Sequence, residues 1–99
     1  IHIHVPCPLG WGSEPADTIK IARLAVESGL FPLFEAEQGE ITGRYKLRRR
    51  VPVTDYLKLQ KRFAHLFGNE PDKHTIAAIQ AMADRNIRYF SLAQEGVLA

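Results

Sequence analysis

Apolar and polar positions change period along this chain, and the changes mark its elements. Ile1, Ile3 and Val5 alternate with His2 and His4, a two-residue period that predicts a strand within residues 1–6. A turn follows over Pro6–Gly12. Ser13 is then the expected N-cap of a helix near 14–28, with Glu14, Pro15 and Asp17 in its first turn. Ile19, Ile21, Ala22, Leu24, Ala25 and Val26 leave that helix little polar face, so it should be well buried. Gly29 fits the left-handed position after the helix, with Leu30 packing back on Ala25. A hairpin is expected across 31–47: "FPLFEAE" as one strand, Glu37–Glu40 as the turn, and "EITGRYKL" returning, weakened by Gly43. After Arg48, Arg49, Arg50 and Pro52 the period becomes helical. Tyr56, Leu59, Phe63, Leu66 and Phe67 predict a helix over 54–67, closed by Gly68. Asn69 is the expected cap of a last helix over 71–93, whose stripe is Ile76, Ile79, Ala83, Ile87 and Phe90. The end, from about Gln94, should fray.

The predicted fold class is therefore α/β: strand, helix and β-hairpin, then two amphipathic helices. A strand needs partners, and only the hairpin offers another strand region. The segment reads as a piece of a larger sheet, so part of its function should lie in residues outside it.

Composition narrows the class. The 99 residues are 45% hydrophobic and 24% charged, as in a soluble globular protein. The formal net charge of +2 is too small to imply nucleic acid. A single cysteine excludes an internal disulfide framework and fits a reducing compartment, hence a cytoplasmic location. No apolar run approaches the roughly 18 residues of a membrane span, and no signal-peptide pattern appears. No internal repeat and no low-complexity linker interrupts the chain.

That cysteine is the first chemical candidate. In "PCPLGWG", Pro6 and Pro8 flank Cys7, and Gly10 and Gly12 flank Trp11, the only tryptophan. Cysteine before proline is pushed to extended backbone, so the thiol sits on a stiff loop. This suits an aimed group: a metal ligand, an iron–sulfur ligand or a nucleophile. The alternative is an inert, buried cysteine. A full metal site would need three further ligands, and none is near in sequence. His2 and His4 form a His-x-His pair that could contribute to zinc, but two ligands make no site, and half-exposed strand residues explain them as well. Glu35 and Glu37 share one strand face, either as an acid–base pair or as solvated charges. Arg48–Arg50 offer contacts to phosphate or an acidic partner, or simply a charged run that discourages edge pairing. No glycine-rich phosphate loop supports nucleotide binding. His65 and His74 read as surface or packing residues.

Several stretches together resemble one family. "PCPLGWG", "IARLAVESGLFPLFEAEQG" and "VPVTDYLKLQKRFAHL" resemble the end of the β subunit of multi-subunit 2-oxoacid:ferredoxin oxidoreductases, of which pyruvate synthase is the type. The matching positions are Pro6, Cys7, Pro8, Gly10 and Trp11; Ala25, Val26 and Gly29; Pro32, Leu33, Phe34 and Glu35; and Pro52, Val53, Tyr56, Leu57, Gln60, Arg62 and Phe63. They run in order over about residues 3–67; the last thirty residues match only loosely, and Phe31 stands where the family often has Trp. The resemblance implies oxidative decarboxylation of a 2-oxoacid on thiamine diphosphate and Mg2+. Electrons then pass through [4Fe–4S] clusters to ferredoxin, and an acyl-CoA is released. It implies that Cys7 is the last of the cluster's four ligands. On physical grounds, N–H groups around Gly10 and Gly12 could donate to cluster sulfides, and Trp11 either shields the cluster from water or is plain core. The resemblance also implies that residues 1–50 form the C-terminal edge of the thiamine and cluster domain, and 51–99 a helical tail. The expected partners are the rest of the β subunit, the other subunits and ferredoxin, with no nucleic acid and no membrane. No Gly-Asp-Gly stretch and no Cys-x-x-Cys occurs, so the segment alone should not bind thiamine, complete a cluster or turn over. Pyruvate is the first expectation; branched-chain, aryl and oxalate substrates, or a non-catalytic interaction module, are the alternatives.

Overall fold

The structure, a computed structural model, describes residues 1–93. Its first regular element is one helical turn, α1, over Pro8–Trp11. A 3-10 turn at Pro15–Asp17 leads into α2, Thr18–Glu27. Ile21, Leu24 and Ala25 lie three and four apart and form the buried face of α2. The helix stops where the sequence says it should. Gly29 has φ +90° and donates to the Val26 carbonyl at 3.0 Å. Its lack of a side chain also lets the last helix approach, because a Cβ there would lie 2.8 Å from Ile87 Cγ1.

The hairpin is β1, Phe34–Glu37, antiparallel to β2, Glu40–Arg44. Gln38 and Gly39 have φ of +50° and +84°, the paired left-handed geometry of a tight two-residue hairpin turn. Glu35 pairs with Gly43 but Ala36 with Ile41, so Thr42 is an extra residue. The weak point expected at Gly43 is thus a bulge. Phe34 stacks on Phe90 with centroids 4.6 Å apart, which ties the otherwise exposed hairpin to the body.

Next come α3, Val53–Leu57, a 3-10 stretch at Lys61–Leu66, and α4, Lys73–Tyr89. Helices α2, α3 and α4 meet in one core of Ile21, Leu24, Ala25, Val51, Val53, Tyr56, Leu57, Leu66 and Ala83. Among the described residues no helix is long and apolar enough to cross a membrane.

Helix α2, the hairpin and the last helix lie where the periodicity indicates, and the mixed α/β class stands, but α2 is buried along one face only: Ile19, counted in its apolar surface, is 72% exposed. Four further expectations need correction. Residues 1–6 form no strand, because no ladder partner lies beside them among the described residues. The helix expected over 54–67 is broken. Gln60 is extended (φ −126°, ψ 120°), and the Lys61 N–H turns away to the Gly12 carbonyl at 3.0 Å. Apolar spacing alone does not register that tertiary bond. Ser13 caps no helix, and its Oγ is buried without a hydrogen-bond partner. Asp72, not Asn69, caps α4: its side chain accepts from the Thr75 N–H at 3.0 Å and the Thr75 hydroxyl at 2.8 Å. That double acceptance holds the Asp72 carboxyl below its ordinary pKa. The fraying expected from Gln94 lies outside the described residues.

Candidate functional site

Pro6 is buried and Cys7 exposed, so the chain leaves the body at the thiol. Cys7 has extended backbone (φ −119°, ψ 101°), as the following proline demands. Pro8 then starts α1, and the single turn closes on the cysteine from both sides. The Gly10 N–H donates to Cys7 Sγ at 3.4 Å, and the Trp11 N–H donates to the Cys7 carbonyl at 2.8 Å. The turn therefore presents an exposed sulfur with one backbone donor already aimed at it. At Gly12 the chain turns with φ +67°, and a Cβ there would lie 2.7 Å from Lys61 Cβ. The loop's C-terminal end thus rests against the 3-10 stretch that follows Gln60.

Trp11 is half-buried between two cationic or titratable groups. The Arg62 guanidinium lies 3.9 Å from its ring centre, and the His4 ring lies 5.4 Å away. Arg62 also stands 4.7 Å from the Phe63 ring centre. Its Nε donates to Gln60 Oε1 at 2.7 Å, and its Nη2 donates to the Tyr56 hydroxyl at 3.3 Å. Gln60, buried, donates its amide to the Tyr56 carbonyl at 2.8 Å. The Tyr56 oxygen lies 3.5 Å from His4 Nε2. His4 is held below its ordinary pKa, first by burial, then by the Arg62 charge, then by His2. A neutral His4 beside a permanent guanidinium avoids like-charge repulsion.

The other sequence candidates are not drawn to this place as ligands. His2 and His4 both pack on Phe31, with ring centres 5.0 and 4.9 Å from it. Among the described residues no three His, Cys, Asp or Glu side chains converge on a point. Glu35 and Glu37 are exposed on the hairpin. Arg49 pairs with Glu27 and Arg50 with Asp84, so two of the three consecutive arginines join the loop to α2 and α4. His65 and His74 are exposed. What periodicity missed is the support beneath Trp11: His4, Gln60 and Arg62. In the sequence, Gln60 and Arg62 stand out only as positions that match the family, with no link to Trp11.

No family model matches the chain. It is 50% identical over 92 residues to pyruvate synthase subunit PorB of Methanosarcina barkeri, covering 93% of this chain and 31% of that protein. To PorB of Methanocaldococcus jannaschii it is 45% identical, covering 93% of this chain and 29% of the relative. Ketoisovalerate oxidoreductase subunit VorB of Pyrococcus abyssi is 42% identical over 72 residues, with 67% of this chain and 22% of the relative covered. The chain thus spans less than a third of the length of these curated relatives.

Proposed function

We propose the role of this chain from one premise: it belongs to the family of the PorB and VorB subunits of pyruvate synthase and ketoisovalerate oxidoreductase. In the intact protein it is the C-terminal segment of a β subunit that takes part in the oxidative decarboxylation of pyruvate to acetyl-CoA in the cytoplasm. Ferredoxin is the electron acceptor, and the remaining β-subunit residues and the other subunits are its partners. Thiamine diphosphate and Mg2+ are held mainly by residues outside this segment.

Cys7 supplies one thiolate to a [4Fe–4S] cluster. The observation that carries this reading is the exposed Sγ on a proline-fixed turn, with the Gly10 N–H already pointed at it. The donor set fits a cluster ligand: sulfur is the atom iron–sulfur clusters require, and an N–H bond to it is one of the means by which a protein sets a cluster's potential. A bound cluster supplies one-electron transfer. The protein's own part is to hold the thiolate in place, direct the Gly10 N–H to sulfur and cover one side with Trp11. The other ligands come from outside this segment. The VorB relative supports a second reading, the same role in an enzyme for a branched-chain 2-oxoacid.

Replacement of Cys7 by Ser in the intact complex tests the ligand role. Expected are lost iron, or a shifted potential with slower ferredoxin reduction, while thiamine diphosphate binding is unchanged. In a structure of the loaded enzyme Sγ should lie about 2.3 Å from iron. Full iron with normal potential and turnover would return Cys7 to an inert residue. Comparing kcat/KM for pyruvate and 2-ketoisovalerate decides between the two substrate readings.

A further inference from the structure

Arg62 has more partners than a surface arginine needs. Its guanidinium stands between the Trp11 and Phe63 rings, 3.9 and 4.7 Å from their centres. Its fork is spent on Gln60 Oε1 and the Tyr56 hydroxyl, at 2.7 and 3.3 Å. Gln60 is itself fixed by burial and by its bond to the Tyr56 carbonyl. The next residue back, Lys61, donates its N–H to the Gly12 carbonyl at 3.0 Å. Two successive residues of one 3-10 stretch therefore grip two successive residues of the Cys7 turn: Arg62 holds the Trp11 ring, and Lys61 holds the Gly12 backbone.

We propose that Arg62 is a positioning residue for Cys7: by stacking on Trp11 from a guanidinium anchored on Gln60 and Tyr56, it fixes the direction in which the thiol is presented. Trp11 transmits the constraint because its own N–H closes the single helical turn on the Cys7 carbonyl at 2.8 Å. The requirement is for a planar cation that stacks and donates two bonds at once. An ammonium keeps the charge but can do neither together. The consequence for electron transfer rests on the reading of Cys7 as a cluster ligand; the consequence for the thiol itself does not.

The test uses the intact complex with Arg62→Lys and Arg62→Met. After iron is removed by chelation, the rate at which Cys7 alone is alkylated is followed by mass spectrometry of the peptide that carries it. A change of at least threefold, the same in both variants, is expected. In the loaded enzyme, both variants should keep their iron and the KM for the 2-oxoacid. The low-temperature spectrum of the reduced cluster should broaden, and kcat with ferredoxin should fall several-fold. Wild-type alkylation and spectrum in both variants would overturn the proposal. So would full rescue by lysine, which would make the effect one of charge. If Arg62→Met fails to assemble, Arg62→Lys decides alone by the same readouts. Cys7→Ser in parallel separates the two readings. Full iron with an unchanged potential and turnover there removes the cluster assignment and leaves the alkylation result to judge Arg62. Iron lost or a potential shifted there, with Arg62 variants unchanged, removes only this inference.

Discussion

The Cys7 turn and the hairpin turn are both short and both use left-handed backbone, yet they are held by different means. Gln38 and Gly39 are fixed by their own neighbours, the β1–β2 ladder, and nothing lies within 4 Å of a Cβ built on Gly39. The Pro6–Gly12 turn has prolines to set its entry, but its exit is gripped by residues about fifty positions away, Lys61 against Gly12 and Arg62 against Trp11, with the nearby His4 ring also beside Trp11. A turn held locally needs only the right backbone angles. A turn held by tertiary contacts also needs the right partners, and in return it can aim a side chain.

The largest expected effect that separates the two comes from alanine at each glycine. Gly39→Ala should cost only the left-handed backbone penalty, roughly 1–2 kcal/mol. Gly12→Ala carries the same penalty plus crowding against Lys61 Cβ, roughly 1–3 kcal/mol more. Denaturant unfolding of the two variants measures the gap, and equal losses would break the comparison. A smaller effect is expected from Tyr56→Phe, which removes the acceptor of Arg62 Nη2 and the hydroxyl facing His4. About 0.5–1.5 kcal/mol is at stake, and Trp11 should become more accessible to quenchers. An unmoved stability and unmoved quenching would mean that the hydroxyl anchors nothing.

The smallest effect is one of pH. His4 has a folded pKa below its ordinary 6.5, so the unfolded chain binds the proton more readily. Its contribution is fully present above pH 6.5, falls as pH drops below that, and levels off once His4 protonates in the folded state. Replacement by Phe, which keeps an aromatic ring beside Trp11, should flatten this part of the stability profile. The Gly39 turn faces no such group and should be indifferent. An identical profile in the His4→Phe variant would assign the slope elsewhere.

Local signals made some of this legible in advance. Gly29 after an apolar helix, the Gln38–Gly39 turn between alternating residues, and extended Cys7 before Pro8 each follow from backbone chemistry within a few positions. The support of the site was not legible in that way. Leu59, Phe63 and Phe67 continue a helical period straight through Gln60, and glutamine is a good helix former. The break exists because the Gln60 amide takes the Tyr56 carbonyl and the Lys61 N–H finds Gly12. Alternation at residues 1–6 predicted a strand, yet that period fixes only the facing of side chains. His2 and His4 both meet the Phe31 ring, His4 half-buried and His2 exposed, while Ile3 and Val5 point elsewhere and stay exposed, so the alternation survives without the ladder. Leu33, just before β1 at the foot of the hairpin rather than in the helical core, is 41% exposed.

Helix α3 carries a consequence for the order of folding. Five residues cannot sustain a helix unaided, since nucleation costs more than one turn of hydrogen bonds returns. Two glutamines outside it complete its ends. Gln80 of α4 accepts the Val53 N–H at 3.0 Å, and Gln60 takes the Tyr56 carbonyl. The Gln80 amide has no freedom to turn over, because its nitrogen is committed to Asp84 at 3.0 Å, and Asp84 to Arg50. The start of α3 is thus borrowed from a helix 27 positions further along the chain. The expectation for folding is that α3 becomes a helix only when α4 docks, and that the segment carrying Tyr56, Gln60 and Arg62 beneath the Cys7 turn takes shape in that same step.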